Sequence, residues 1–171
     1  GQLTLGDVSR ASKCLEALPI AEPTAAAIAQ LQALHPEAPP PALQAAATSP
    51  AQLDDDMFQD VLHKLPRGSA PGPSGWTYEH IKAAALHSTS ARQGLLRLIN
   101  AMLAGQLPHL PKVLASSLIG LQKPGGRGLR PIAIPEAFYR LAGLCLIEAT
   151  DGTGQALAPL QLGVSIRGGS Q

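Results

Sequence analysis

The chain of 171 residues has 13 basic and 12 acidic side chains, and 45% of its residues are hydrophobic but only 3% are aromatic. This length and apolar content can supply one aliphatic core, and no apolar run approaches the length of a membrane span. The two cysteines, Cys14 and Cys145, are far apart and lie in apolar helical patterns. We therefore expect buried or half-buried thiols rather than a disulfide framework or a cysteine metal site, in a reducing intracellular compartment, nuclear or cytoplasmic.

The amino-terminal part is predicted to contain two short helices. Leu, Ile, Val and Ala recur at helical spacing over residues 5–18 and 24–34. A Pro/Ala-rich stretch follows, and successive prolines disfavour helix and remove backbone donors. We accordingly divide the chain into an amino-terminal helical segment (1–37), a linker (38–52) and a larger module (53–171). The sequence leaves open whether the helical segment packs on the rest.

Three further helices are predicted before residue 105. The first covers residues 54–65, and its leading Asp54, Asp55 and Asp56 favour a helix N-terminus over a metal site. A loop rich in proline and glycine separates it from a helix that begins near Trp76 or Thr77. A third helix over residues 91–103 has a broad apolar face and ends at a glycine.

Residues 118–134, called here the basic hairpin, form two apolar arms around a Pro-Gly-Gly turn. Alternating apolar residues in the arms predict two half-buried antiparallel strands: Ile119, Leu121, Ile132 and Ile134. The turn glycines permit the positive φ angles of a tight reversal. Three cations, Lys123, Arg127 and Arg130, then cluster near the turn, where they can bind phosphate oxygens. A solvated surface turn is the alternative interpretation.

The basic side chains are unevenly distributed. Residues 1–60 contain two basic and eight acidic side chains, a net charge of −6, whereas residues 61–171 contain eleven basic and four acidic ones, a net charge of +7. Phosphate neutralisation dominates non-specific affinity for nucleic acid, so the second part is the one expected to face nucleic acid. A solvated basic face would have the same composition.

Four segments occur in a characteristic order. Residues 71–75 read Pro-Gly-Pro-Ser-Gly and are called here the Pro-Gly loop. The basic hairpin comes next, followed directly by a predicted helix over residues 136–148 and later by a Gln-Leu-Gly triplet at residues 161–163. As an ordered set, these segments over residues 53–171 resemble the amino-terminal part of a reverse transcriptase of the non-LTR retrotransposon type. The implied fold is α+β, mostly α-helical with one antiparallel β-hairpin, as in the fingers subdomain of a right-hand polymerase.

The resemblance implies a role for the hairpin cations. In this family a Lys on the first strand and an Arg at the start of the second hold the triphosphate of the incoming nucleotide, positions that Lys123 and Arg130 match. Arg127 lies at the tip of the turn and is expected to contact nucleotide, template phosphate or solvent.

Other residues are expected to contact the template. By resemblance these are Pro71, Gly72 and Gly75 of the Pro-Gly loop, Arg140 of the following helix, and Gln161 and Gly163 of the triplet. Relatives frequently have Asp where this chain has Ser74, a departure that still leaves a side chain able to form hydrogen bonds. A helix-to-helix loop without a ligand is the alternative for residues 71–75.

The metal-binding aspartates of such polymerases follow the Gln-Leu-Gly region and are not found in these 171 residues. Two-metal phosphoryl transfer needs converging carboxylates. We therefore assign no catalytic residue and no metal ligand here, expect Mg²⁺ only in a complete enzyme, and expect no polymerase activity from this stretch by itself. The implied partners are an RNA template, a DNA primer and an incoming dNTP, without a membrane. The alternative is a non-enzymatic helical module that binds RNA or protein.

Overall fold

A computed structural model of the chain describes residues 19–34, 50–107, 110–126 and 128–150. This part is a mixed α+β structure with one two-stranded antiparallel hairpin, which confirms the α+β class and the hairpin predicted from the sequence. The likeness to polymerase fingers stays a prediction. The helices are α1 Ala25–Leu34, α2 Asp55–Lys64, α3 Tyr78–His87, α4 Thr89–Leu103, α5 Leu110–Val113 and α6 Ala137–Ala149. The strands are β1 Ser116–Gln122 and β2 Leu129–Pro135.

The chain divides into two compact units that interleave along the sequence. One, the hairpin unit, consists of Gly1–Gln44 and Ser117–Ile134, and the other, the helical unit, consists of Ala45–Ser116 and Pro135–Gln171. This grouping differs from the linear division at residues 37 and 52, because the hairpin shares a unit with α1 rather than with the helices around it.

The predicted helices are confirmed to within about two residues at most ends. The Asp54 carboxylate accepts a hydrogen bond from the Met57 N–H at 2.8 Å, so the acidic run does cap α2. Asp55 accepts two hydrogen bonds from Arg92, at 2.9 and 3.1 Å, and these bonds lower the pKa of its carboxyl group. Gly105 follows α4 with a φ of +66°, a backbone angle that ends a helix.

The core of the helical unit is formed by α2, α3, α4 and α6. Its largest fully buried side chains are Phe58, Leu62, Ile81, Ile99, Leu141 and Cys145. Asn100 of α4 donates to the Leu53 carbonyl at 3.0 Å and accepts from the Leu53 N–H at 2.9 Å. The two bonds satisfy backbone groups just before α2 and fix the start of that helix against α4.

In the hairpin unit, the segment before α1 pairs with β1. Ile20 forms an antiparallel bridge with Leu121, and the Ala21 N–H donates to the Gly120 carbonyl at 2.7 Å. Gly120 is buried, and a Cβ at this position would lie 3.6 Å from Leu31 of α1. The described residues 19–34 of the amino-terminal segment thus pack on the hairpin, which the sequence had left open.

Several predictions fall outside the described residues: the helix over residues 5–18, most of the linker, Cys14, Arg127 and the Gln161-Leu162-Gly163 triplet. Cys145 is described and is buried as a free thiol, as expected. Among the described helices, none combines the length and the apolar character that crossing a bilayer requires.

Candidate nucleic-acid interface

The Pro-Gly loop is a tight turn packed closely against the start of α6. The Gly75 N–H donates to the Gly72 carbonyl at 3.0 Å, and Gly75 has a φ of +81°. Gly72 is buried, and a Cβ there would lie 2.7 Å from both the Pro135 carbonyl oxygen and the Glu136 Cα. Position 72 is therefore restricted to glycine by backbone packing, and position 75 by its backbone angle.

Glu136 holds the loop through a buried carboxylate. Only 5% of this residue is exposed. Its Oε1 accepts from the Ser74 N–H and its Oε2 from the Ser74 hydroxyl, both at 2.6 Å. Burial of a carboxylate is unfavourable unless it is hydrogen-bonded, and short bonds to a charged acceptor are among the stronger ones. The sequence reasoning missed this contact, because its partners are 62 positions apart and Glu136 was interpreted only as the start of a helix.

Arg140 lies one turn further along α6 and reaches the residue before the loop. Its Nη2 donates to the Ala70 carbonyl at 2.6 Å, and its guanidinium lies 4.9 Å from the centre of the buried Tyr78 ring. Burial raises the pKa of the Tyr78 hydroxyl, and the nearby Arg140 opposes that shift. Arg140 is thus placed beside the loop where a template contact was predicted, but it contacts the protein there; the template contact stays a prediction.

An aromatic cluster follows the loop directly. The Trp76 ring lies 5.3 Å from Phe138 and 6.0 Å from His80, measured between ring centres. The Trp76 residue remains 39% exposed, and its backbone N–H donates to the Ser74 hydroxyl oxygen at 3.3 Å. An exposed, supported indole beside a glycine turn can stack on a nucleobase.

The turn of the basic hairpin is closed by its own backbone. The Lys123 N–H donates to the Gly128 carbonyl at 2.9 Å, and the Gly126 N–H donates to the Lys123 carbonyl at 3.2 Å. Gly125, Gly126 and Gly128 all have positive φ angles, as predicted. These two backbone N–H groups are already bonded within the turn. Phosphate binding at the turn would therefore depend on side chains.

Lys123 and Arg130 are both exposed beside this turn. Lys123 follows β1 directly, and Arg130 is the second residue of β2. Within the described part of the chain, neither forms a salt bridge. The predicted half-buried residues Ile119, Leu121, Ile132 and Ile134 are confirmed as such, so the arms are anchored while the two charges face solvent.

The predicted site residues thus belong to two separate places. The helical unit brings Pro71, Gly72, Gly75 and Arg140 together, and the hairpin unit holds Lys123 and Arg130. Across residues 19–34, 50–107, 110–126 and 128–150, no three His, Cys, Asp or Glu side chains are arranged to hold a metal ion.

In comparisons with known proteins, the chain matches no family model, no curated protein and no solved structure. The functional assignment consequently depends on the motifs and the geometry described above.

Proposed function

We propose that this chain is the template- and nucleotide-binding fingers portion of an RNA-directed DNA polymerase of the non-LTR retrotransposon type. The observation that carries the proposal is the basic hairpin, in which Lys123 and Arg130 are exposed at the turn between two anchored strands. Their positions agree with the family motif that binds the triphosphate of the incoming nucleotide.

The physical basis is the pairing of fixed cations with phosphate oxygens. The guanidinium of Arg130 can bind two oxygens at once, whereas the ammonium of Lys123 acts as a compact point charge. Pro131 fixes the backbone after Arg130 and cannot donate a hydrogen bond, which suits a residue near a strand end. A hairpin with half-buried arms and solvent-facing cations presents its charge to a polyanion.

The Pro-Gly loop contributes a second surface, for the template. Its residues Pro71, Pro73 and Gly75 are exposed, and Trp76 offers part of an indole beside them. Glycine lets a nucleic-acid backbone approach closely, and aromatic rings stack on any base. The proposal assigns binding, not catalysis, to these residues; Mg²⁺ and the DNA primer would be held by other parts of a polymerase.

Titration with labelled single-stranded RNA at about 50 and 200 mM salt tests the proposal. We expect weak binding that falls steeply with salt, because each neutralised phosphate releases counterions. A chain restricted to residues 1–60, with a net charge of −6, serves as the comparison for charge. Absence of binding at the lower salt concentration, or equal binding by the acidic comparison peptide, would contradict the proposal.

A protein-binding module is the second candidate, and one observation favours it. Helix α6 exposes large apolar side chains, each at least 38% exposed: Tyr139, Leu144, Leu146 and Ile147. Contiguous exposed apolar surface marks interaction sites in soluble proteins. Substituting Leu146 and Ile147 with Ser separates the candidates, because loss of a protein partner without any change in RNA affinity would favour the interaction module.

A further inference from the structure

Two side chains four positions apart, one at the N-cap of α6 and one in its first turn, hold the Pro-Gly loop at both ends. Glu136 bonds Ser74 inside the loop, and Arg140 bonds the carbonyl of Ala70 just before it. Residues four positions apart lie on the same helix face, so both side chains reach the loop from one side. The backbone of Gly72 packs between these attachments, against Pro135 and Glu136.

The Glu136 carboxylate forms its hydrogen bonds with the loop and not with the backbone of α6. It precedes α6 at the N-cap position but forms no capping bond there. Both of its oxygens accept from Ser74 instead. A buried carboxylate in this arrangement specifies one loop conformation, because displacing Ser74 would leave the charge without partners.

The same contact extends to the backbone of Trp76. The Ser74 hydroxyl donates to Glu136 and accepts from the backbone N–H of Trp76. The Trp76 ring itself packs against Phe138, the second residue of α6. The backbone that carries the exposed ring is therefore coupled to the carboxylate through a single serine.

We propose that Glu136 is a positioning residue, which holds Ser74 so that the Pro-Gly loop and the exposed face of Trp76 receive an unpaired stretch of RNA template. The RNA part rests on the proposed function, and the loop part does not. Glu136 itself does not contact RNA in this scheme, since its oxygens are used within the protein.

The test uses Trp76, the chain's sole tryptophan, as a reporter. Indole emission, acrylamide quenching and near-ultraviolet circular dichroism are measured without RNA for Glu136→Ala, Glu136→Gln and the control Glu148→Ala. Glu148 lies on the same helix but pairs with Lys64 at 2.7 Å. We expect a shifted spectrum and stronger quenching in Glu136→Ala only. Glutamine restores the wild-type signal, because its amide can accept from the Ser74 N–H and donate to the hydroxyl oxygen.

RNA affinity supplies the functional readout. Glu136→Ala should weaken binding of single-stranded RNA about three- to tenfold, the range expected for one lost hydrogen-bonded contact. In a Trp76→Ala background the same substitution should have little further effect, because the two residues act through one pathway. Independent, additive losses would overturn the coupling.

The two proposals fail in different ways. A Trp76 spectrum unchanged in Glu136→Ala, even with reduced stability, would overturn the positioning role. If Glu136→Ala does not fold, Ser74→Ala carries the same readouts, since it removes only a hydroxyl from an exposed residue. A wild-type chain that binds no RNA would overturn the proposed function, and the spectra without RNA would still decide whether Glu136 sets the loop.

Discussion

The Pro-Gly loop and the turn of the basic hairpin are built from the same residue types but are constrained differently. Both contain proline and at least one glycine with a positive φ angle. Gly72 of the loop is buried against backbone, with 2.7 Å between the position of a Cβ and its nearest neighbours, whereas a Cβ at Gly126 of the turn would meet nothing within 4 Å. Glycine serves close packing in one place and backbone conformation in the other.

The charged groups of the two regions differ in whether they are bonded within the protein. Glu136 and Arg140 form hydrogen bonds to the loop itself, while Lys123 and Arg130 are exposed and make no salt bridge within the described residues. The loop therefore uses charge to maintain its shape, and the hairpin leaves charge for a ligand. This contrast separates substitutions that should affect folding from those that should affect binding.

The largest stability effect is expected from Gly72→Ala. A methyl group would overlap backbone atoms that cannot move without shifting α6, so we expect a loss of about 2–3 kcal/mol in the free energy of unfolding, measured with denaturant. Gly143→Ala is the matched control. It lies in α6 with nothing within 4 Å, and alanine there should stabilise by up to about 1 kcal/mol. Similar losses at both positions would contradict the packing argument.

Lys123→Ala and Arg130→Ala should affect nucleotide use rather than folding. In an active polymerase that contains these residues, each lost charge-assisted contact should cost about 1.5–3 kcal/mol, or roughly ten- to a hundredfold in kcat/KM for the nucleotide. The free energy of unfolding should change by less than about 0.5 kcal/mol, because both residues are exposed. Steady-state kinetics at limiting nucleotide measure this effect. A wild-type kcat/KM in both variants would mean that the hairpin is a structural turn without a role in nucleotide binding.

A smaller effect is expected from Gly126→Ala in the hairpin turn. The cost should be about 1 kcal/mol, since alanine is strained at the observed φ of +69° but meets no steric obstacle. Gly126→Asn should cost less, because asparagine tolerates this conformation better. At Gly72 the order should reverse, since the larger side chain overlaps more. Thermal unfolding of the four variants tests whether the two turns differ as described.

High pH should weaken the helical unit modestly through Cys145. Burial raises the pKa of its thiol to about 12 from 9.0. The folded state thus retains the proton more strongly, so the stabilising contribution is complete below about pH 9 and is lost as the pH rises toward 12. Tyr78 shifts in the same direction. Melting temperatures at pH 7.5 and 10 should show a smaller decrease in Cys145→Ala than in the wild type.

Local patterns accounted for the elements of the fold. Helix α2 was predictable because Asp54 begins it and apolar residues follow at helical spacing, and the hairpin because its apolar residues alternate around a Pro-Gly-Gly turn. The position of Lys123 and Arg130 beside the turn was also predictable, but their exposure was not, because the alternation places them in register with Leu121 and Ile132. These features depend on residues within a few positions of one another.

Contacts between distant segments were not predictable in this way. The pairing of Ile20 with Leu121 joins a segment before α1 to β1, and nothing near Ile20 indicates a strand. The Glu136 to Ser74 contact likewise depends on how α6 packs on the helical unit. The sequence shows only an acid directly after a strand-ending proline, and this signal indicates neither burial nor a partner.

The central claim is that the hairpin cations contact the phosphates of the incoming nucleotide, and the salt dependence of dNTP binding tests it most directly. The slope of log affinity for a dNTP against log salt is measured for the wild type, for a Lys123→Ala/Arg130→Ala double variant and for an Arg97→Ala/Lys112→Ala control, in which two other exposed cations are removed. Two lost phosphate contacts should flatten the slope in the hairpin variant and leave the control near the wild type. Equal slopes in the hairpin variant and the wild type, or equal reductions in both variants, would contradict the claim.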